Sequence, residues 1–222
     1  MNRGNKIKKM TAVAMFCALA YVVMLFVKIP VQFLTLDIKD SLIILCSLLF
    51  GPVSGVMIAV IVPFLELITI SGTGIYGFIM NVLSSVTFSL TVGLIYRYKK
   101  SMTGAIIGLL SAVFAVTAVM LLANLFVTPY YLGGTTAQVA AMIPRILLPF
   151  NLIKAILNAA IVLLLYKPLS NILKKVGFIQ ETDSKTVAEN SKPVSRWRSP
   201  IITLVAVLII AVSLAIVFWV LR

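Results

Sequence analysis

The chain alternates long apolar blocks with short polar breaks. The first block runs over residues 10–29 and is closed by Pro30. One bilayer crossing needs about 20 mostly apolar residues, so the block predicts a spanning helix. It is too long, and lacks the small-residue cleavage site, for a removable leader. A short loop at 31–40 carries Asp37, Lys39 and Asp40. The next apolar stretch, 41–68, exceeds one crossing and is interrupted by Gly51, Pro52 and Gly55. It reads as two tightly joined helices, 41–50 and 53–68, with one long kinked helix as the alternative. A Gly/Ser/Thr loop at 69–77 follows, then helices at 78–96 and 102–127. A loop at 128–143 and a helix at 144–166 come next. Beyond a polar, basic stretch at 168–199, an apolar run at 200–221 predicts a further spanning helix.

Composition agrees with this pattern. Hydrophobic residues make up 61% and charged residues 11% of the 222, and the mean hydropathy is +1.13. Soluble domains carry about 25% charged residues, so a soluble enzyme is excluded as a first reading. The formal charge of +13 would suggest nucleic acid in a soluble protein, but the cations are clustered. Four precede the first block, three fall at 97–100, and seven lie between 167 and 198; Lys28, Lys39, Arg145 and Arg222 fall on the other side. This is the positive-inside bias of cytoplasmic loops and contact with anionic lipid, not a nucleic-acid surface. It predicts a cytoplasmic N terminus and an extracellular C terminus. There is no histidine, which removes His-based catalysis and His metal sites. Cys17 and Cys46 lie in separate apolar blocks, without the spacing of a disulfide framework or a metal site.

Polar groups inside a bilayer are rare and point to function. Asn151, Lys154 and Asn158 stand at i, i+3 and i+7 and so share one helix face. They form a donor array suited to carbonyl oxygens and ring nitrogens of a ligand; a polar network joining helices is the alternative. Glu66 follows Pro63 near a helix end. It could pair with Lys154, accept from ligand hydroxyls, or simply face water. Asn124 sits near the end of another helix. Asn81, Ser84 and Ser85 line one side of theirs, with packing favoured for the serines. Most of these groups fall toward one leaflet, beside loops that carry Phe33, Tyr76, Tyr130 and Tyr131. Such aromatics are first of all interfacial belt residues, and they could also stack on a planar ligand. An apolar pocket with a few amides and one cation suits an uncharged planar molecule of vitamin size. Ala14 and Ala18 form an AxxxA step that would allow close approach of a partner helix.

The string PVQFLTLDIKDSLIILCSLLFGPVSGVMIAVI, with its TLDxxD core and the following FGPxxG, resembles the substrate-binding S components of energy-coupling factor (ECF) transporters. Pro149, Phe150, Asn151 and Lys154, together with Asn124 and the AxxxA step, are similar to the riboflavin-specific branch. The resemblance covers roughly residues 8–175. It implies an all-α polytopic membrane protein with a six-helix bundle over 1–175, to which the chain's own charge and hydropathy pattern adds a basic cytoplasmic linker at 176–199 and a further spanning helix at 200–222. It implies a riboflavin pocket open to the outside, capped by the loop between the first two helices, with FMN as a second candidate ligand and no resident cofactor. Asn151, Lys154 and Asn124 are implied as flavin contacts, with Glu66, Leu36 and Asp37 beside them. Ala14 and Ala18 are implied as the face for a transmembrane coupling subunit, which works with two ABC ATPase subunits. The chain itself then has no ATPase site and is not an enzyme.

The seventh helix has no place in the six-helix pattern. It carries no charge and no amide, so it is expected to be an accessory anchor or a partner contact that need not touch the bundle. The competing functions are an S component for another small vitamin or precursor, an intramembrane enzyme acting on lipids, and a scaffold or sensor. The enzyme reading calls for clustered acids, a histidine or a metal set. Only three acids lie outside the polar tail.

Overall fold

A computed structural model describes residues 3–178 and, farther along, residues 204, 206–208, 210–212 and 215. Helix α1 (Arg3–Phe26) leads into a hairpin of β1 (Lys28–Val31) and β2 (Leu34–Asp37). Then come α2 (Lys39–Phe50), α3 (Pro52–Thr69), α4 (Gly74–Tyr98) and α5 (Met102–Leu132). A short α6 (Thr136–Met142) joins through a π-helical turn (Ile143–Leu147) to α7 (Leu148–Lys175). Four of these helices, and the continuous helical stretch from Thr136 to Leu173, are long and apolar enough to cross a membrane.

The stretch 41–68 is two helices, as its Gly-Pro break predicts. Gly51 turns the chain at φ 96°, a conformation that glycine adopts without Cβ strain. With 12 residues, α2 is about 18 Å long and falls short of the roughly 30 Å hydrocarbon layer. Nine of those residues are buried, so α2 forms the centre of the bundle rather than its rim. Helix α1 buries only the stripe Ala12, Phe16, Ala20 and Met24. Their four-residue spacing keeps them on one face, and Ala14 and Ala18 are exposed on another.

Small residues set the spacing at the centre. A Cβ on Gly93 of α4 would collide with Ser47 Oγ of α2 and lie 2.8 Å from Pro52 Cβ. Ser47 instead donates to the Ser89 carbonyl at 2.8 Å. Gly93→Leu is expected to destabilise the bundle by about 1–3 kcal/mol through overpacking. A thermal melt in detergent should fall by several degrees, and an unchanged midpoint would mean that α4 can move away from α2.

Three expectations change. The loop 31–40 is largely a hairpin, with Lys28 opposite Asp37 and Val31 opposite Leu34. Pro30 is tolerated because both strands of a two-stranded hairpin are edges. Helix α5 passes through Pro129 and stops at Gly133, which is left-handed at φ 66°. Most of the loop expected at 128–143 is therefore helical. Finally, the linker expected at 176–199 lies, beyond 178, outside the described residues. The eight described positions of the last run are helical. They do touch the bundle, since Ala206 is 1% exposed and Ile210 packs against buried residues of the hairpin and α7.

Candidate functional site

The C-terminal ends of α3 and α5, the N-terminal ends of α4 and α7, and the hairpin all meet at one end of the bundle. Between them lies an open cavity, with about 900 Å³ of empty space when its mouth is included. The hairpin contributes Lys28, Phe33, Leu34 and Thr35; α3 contributes Glu66; α4 contributes Tyr76, Met80, Asn81 and Ser84. From α5 come Met120, Asn124, Thr128 and Tyr131, and from α7 Phe150, Asn151 and Lys154. The Tyr76 and Tyr131 rings stand 6.3 Å apart and tilted, each partly exposed. They offer aromatic faces beside an apolar interior.

One wall is built from buried charge. Lys154 Nζ donates to Asp37 Oδ2 at 2.8 Å and to the Thr35 carbonyl at 3.3 Å. An ammonium has three donors, so among the described residues one remains for the cavity. Asp37 Oδ2 also accepts from Lys39 at 3.2 Å. Lys39, 0% exposed, donates onward to Glu66 Oε2 at 3.2 Å. Glu66 accepts from Lys28 at 3.0 Å and from Asn81 Nδ2 at 2.8 Å. Asp40 accepts from Ser85. Buried ions persist only when paired and hydrogen-bonded. Of the three acids among the described residues, Asp37 and Glu66 pair with Lys28, Lys39 and Lys154 in this wall, and Asp40 lies beside them with Ser85 as its hydrogen-bond donor. Burial alone would raise the Asp37 pKa. The ammonium groups of Lys154 and Lys39 outweigh it and hold the carboxyl below the usual carboxylate range.

The amides divide into two kinds. Asn124 donates to the Met120 carbonyl at 2.7 Å and accepts from Thr128 Oγ1 at 2.7 Å. Asn151 donates to the Leu147 carbonyl at 2.7 Å. Both line the cavity with their remaining capacity. Asn158 does not line it. Its Oδ1 accepts from the Ser41 backbone N–H at 2.8 Å, and its Nδ2 donates to the Asp37 carbonyl at 3.1 Å. It caps an N-terminal N–H of α2 that has no side-chain partner of its own helix, a role that suits a helix end in an apolar medium.

The cavity thus gathers Asn151, Lys154, Asn124, Glu66, Tyr76 and Asn81, as the sequence led us to expect. Leu36 and Asp37 are not in its lining. Leu36 is 2% exposed in an apolar cluster with Val31 and Leu157, and Asp37 stands behind Lys154. Lys154 is therefore not an unpaired cation, and Glu66 pairs with Lys28 and Lys39 rather than with Lys154. Lys39, expected in an exposed loop, is buried. Ser84 faces the cavity although packing was favoured for it. Thr35, the first residue of the 35–37 loop implied by the resemblance, does line the cavity, and sequence reasoning missed Lys28 and Thr128. Thr128 stands four residues after Asn124, a spacing that could have revealed it.

The model of the family described as "ECF transporter, substrate-specific component" matches residues 8–166. The chain is similar to the riboflavin transporter RibU of Staphylococcus aureus (strain TCH60), with 33% identity over 179 residues. That alignment covers 76% of this chain and 94% of that protein. It is also similar to the riboflavin transporter FmnP of Bacillus subtilis (strain 168), with 27% identity over 72% of this chain and 91% of that protein. Among solved structures, one described as the S component of a bacterial ECF transporter aligns with a TM-score of 0.66 and 32% identity. It covers 76% of this chain and 99% of that one.

Proposed function

The chain belongs to the family of substrate-specific components of ECF transporters, and from that premise we propose that it captures riboflavin for uptake. It is a multi-pass membrane transport subunit rather than an enzyme. The observation that carries the riboflavin reading is the similarity to RibU along 94% of that protein. The chemistry of the cavity supports it. The isoalloxazine ring is planar, uncharged and edged with carbonyl oxygens and nitrogens. Tyr76, Tyr131, Phe33 and Phe150 supply faces for the ring, and Asn151, Lys154, Asn124 and Asn81 supply donors and acceptors for its edge. Lys28 and Glu66, which line the same cavity, have the donors and acceptors suited to ribityl hydroxyls. Leu36 and Asp37 serve from behind, one by packing and one by aiming Lys154.

The charged wall also bears on ligand choice. With Asp40 counted beside it, the formal charges of the wall balance, and both cavity-lining ammoniums are already ion-paired. A phosphate entering the site would bring up to two further negative charges, without a free cation to meet them. Riboflavin is therefore favoured over FMN. Titration of the purified protein with riboflavin, FMN, thiamine and biotin tests this. Riboflavin should bind at least about tenfold tighter than FMN, a difference of about 1.4 kcal/mol. Thiamine or biotin binding more tightly than riboflavin would overturn the reading.

The family places the chain beside the membrane and ATPase modules of an ECF transporter. In the finer reading, one transmembrane coupling subunit and two ABC ATPases supply the energy, and the cavity opens outward with the N terminus cytoplasmic. The exposed Ala14 and Ala18 are the docking step on α1. Ala14→Leu with Ala18→Leu should leave riboflavin binding by the isolated subunit intact and abolish ATP-driven uptake by the complex. Loss of binding in the isolated variant would show that this face supports the fold itself.

A further inference from the structure

A second apolar cluster lies behind the cavity. Its buried centre is Val31 and Leu36 of the hairpin with Leu157 of α7. Phe150, packed against that centre, also lines the cavity. Leu36 precedes Asp37 in the chain, and Asp37 aims Lys154. The cluster is therefore the back wall on which the hairpin rests.

The C-terminal run reaches this wall. The family model ends at residue 166, so the run lies beyond the shared domain. Ala206 is 1% exposed, and Ile210 packs against the cluster. Four residues apart, they stand on one helix face. Leu204, Val207, Leu208 and Val212, on the other faces, are 48–69% exposed. A small residue at a contact lets helices approach closely in a bilayer, where packing rather than water drives association. Ala206 is a small buried residue on the same face as Ile210, the residue that packs against the cluster.

We propose that the C-terminal helix is a built-in brace: through Ala206 and Ile210 it seats on the back wall, holds hairpin β1–β2 against α7, and slows the escape of bound ligand. The effect on the ligand rests on the riboflavin reading; the bracing of the hairpin does not. Hydrogen exchange of the ligand-free, full-length protein separates the two. Amides of residues 28–37 are followed in the unaltered protein, in Ile210→Ala, in Ala206→Leu and in the exposed-face control Leu208→Ala. Both contact variants should exchange at least about threefold faster across the hairpin, and the control should not. Riboflavin should then dissociate faster from both by a similar factor, with association little changed, because changes at a formed contact act mostly on the off-rate. Unchanged hairpin exchange in both contact variants overturns the brace. Faster exchange with unaltered dissociation overturns its effect on the ligand. An unaltered protein that binds no riboflavin overturns the vitamin reading alone, and the exchange data still decide on the brace.

Discussion

Lys154→Met is expected to weaken riboflavin binding by about 10-fold to 150-fold while the protein stays folded. The methionine chain replaces the aliphatic stem, which is the part that packs. It removes a donor that Asp37 Oδ2 and the Thr35 carbonyl hold at the cavity wall. A hydrogen bond to a charged group contributes about 1.5–3 kcal/mol, which gives that range of affinity. Asp37→Asn separates the two roles. Asp37 does not line the cavity, so its loss should weaken binding less, through misplacement of Lys154. The double variant should then bind no worse than Lys154→Met alone. Titration of the four proteins with riboflavin checks this cycle. A folded Lys154→Met protein with unaltered affinity would remove Lys154 from the site.

The second large effect is expected at Glu66. Its carboxylate accepts from Lys28, Lys39 and Asn81 at once. Glu66→Gln keeps the shape but leaves one acceptor oxygen and turns its NH2 either toward Lys28 or toward Lys39 and Asn81. Lys39 is fully buried, and breaking a buried pair from one side costs about 3–5 kcal/mol. The melting midpoint should therefore fall clearly. The substitution also shifts the formal charge of the wall by one positive unit, beside a Lys28 that has lost its partner. The preference for riboflavin over FMN should shrink by at least about tenfold, equal to about 1.4 kcal/mol. Competitive titration of the two flavins measures the ratio. A ratio equal to that of the unaltered protein would mean that wall charge does not select the ligand.

Much of the site was readable because polar groups are conspicuous in an apolar chain. Lys154, Asn151, Asn124 and Glu66 stand out by their cost in a bilayer, and all four line the cavity. Their partners were not readable. Asp37 and Lys154 are 117 residues apart, and no periodicity links a loop carboxylate to a helix lysine. Lys39 looked like a surface residue because it shares a short segment with two acids. Asn158 looked like a ligand contact because it shares a face with Asn151 and Lys154. Its capping role depends on the start of α2 lying against α7, which local pattern does not encode.

The apolar runs by themselves determined the bundle. Their lengths give the spanning helices, and the Gly51-Pro52 break divides α2 from α3, because these are local consequences of burial and backbone freedom. The sequence likewise determined how the cations cluster along the chain and that it holds no histidine. Only the tertiary structure decided which face of each helix turns inward. It decided that the segment after α1 is a hairpin, that Lys28, Glu66 and Lys154 at the cavity wall are paired with each other or with buried Asp37 and Lys39 behind it, and that Ile210 packs against the cluster at its back. The physical reason is the same in each case. Burying a charge or closing a small contact depends on what arrives from distant parts of the chain, and that is settled only when the helices pack.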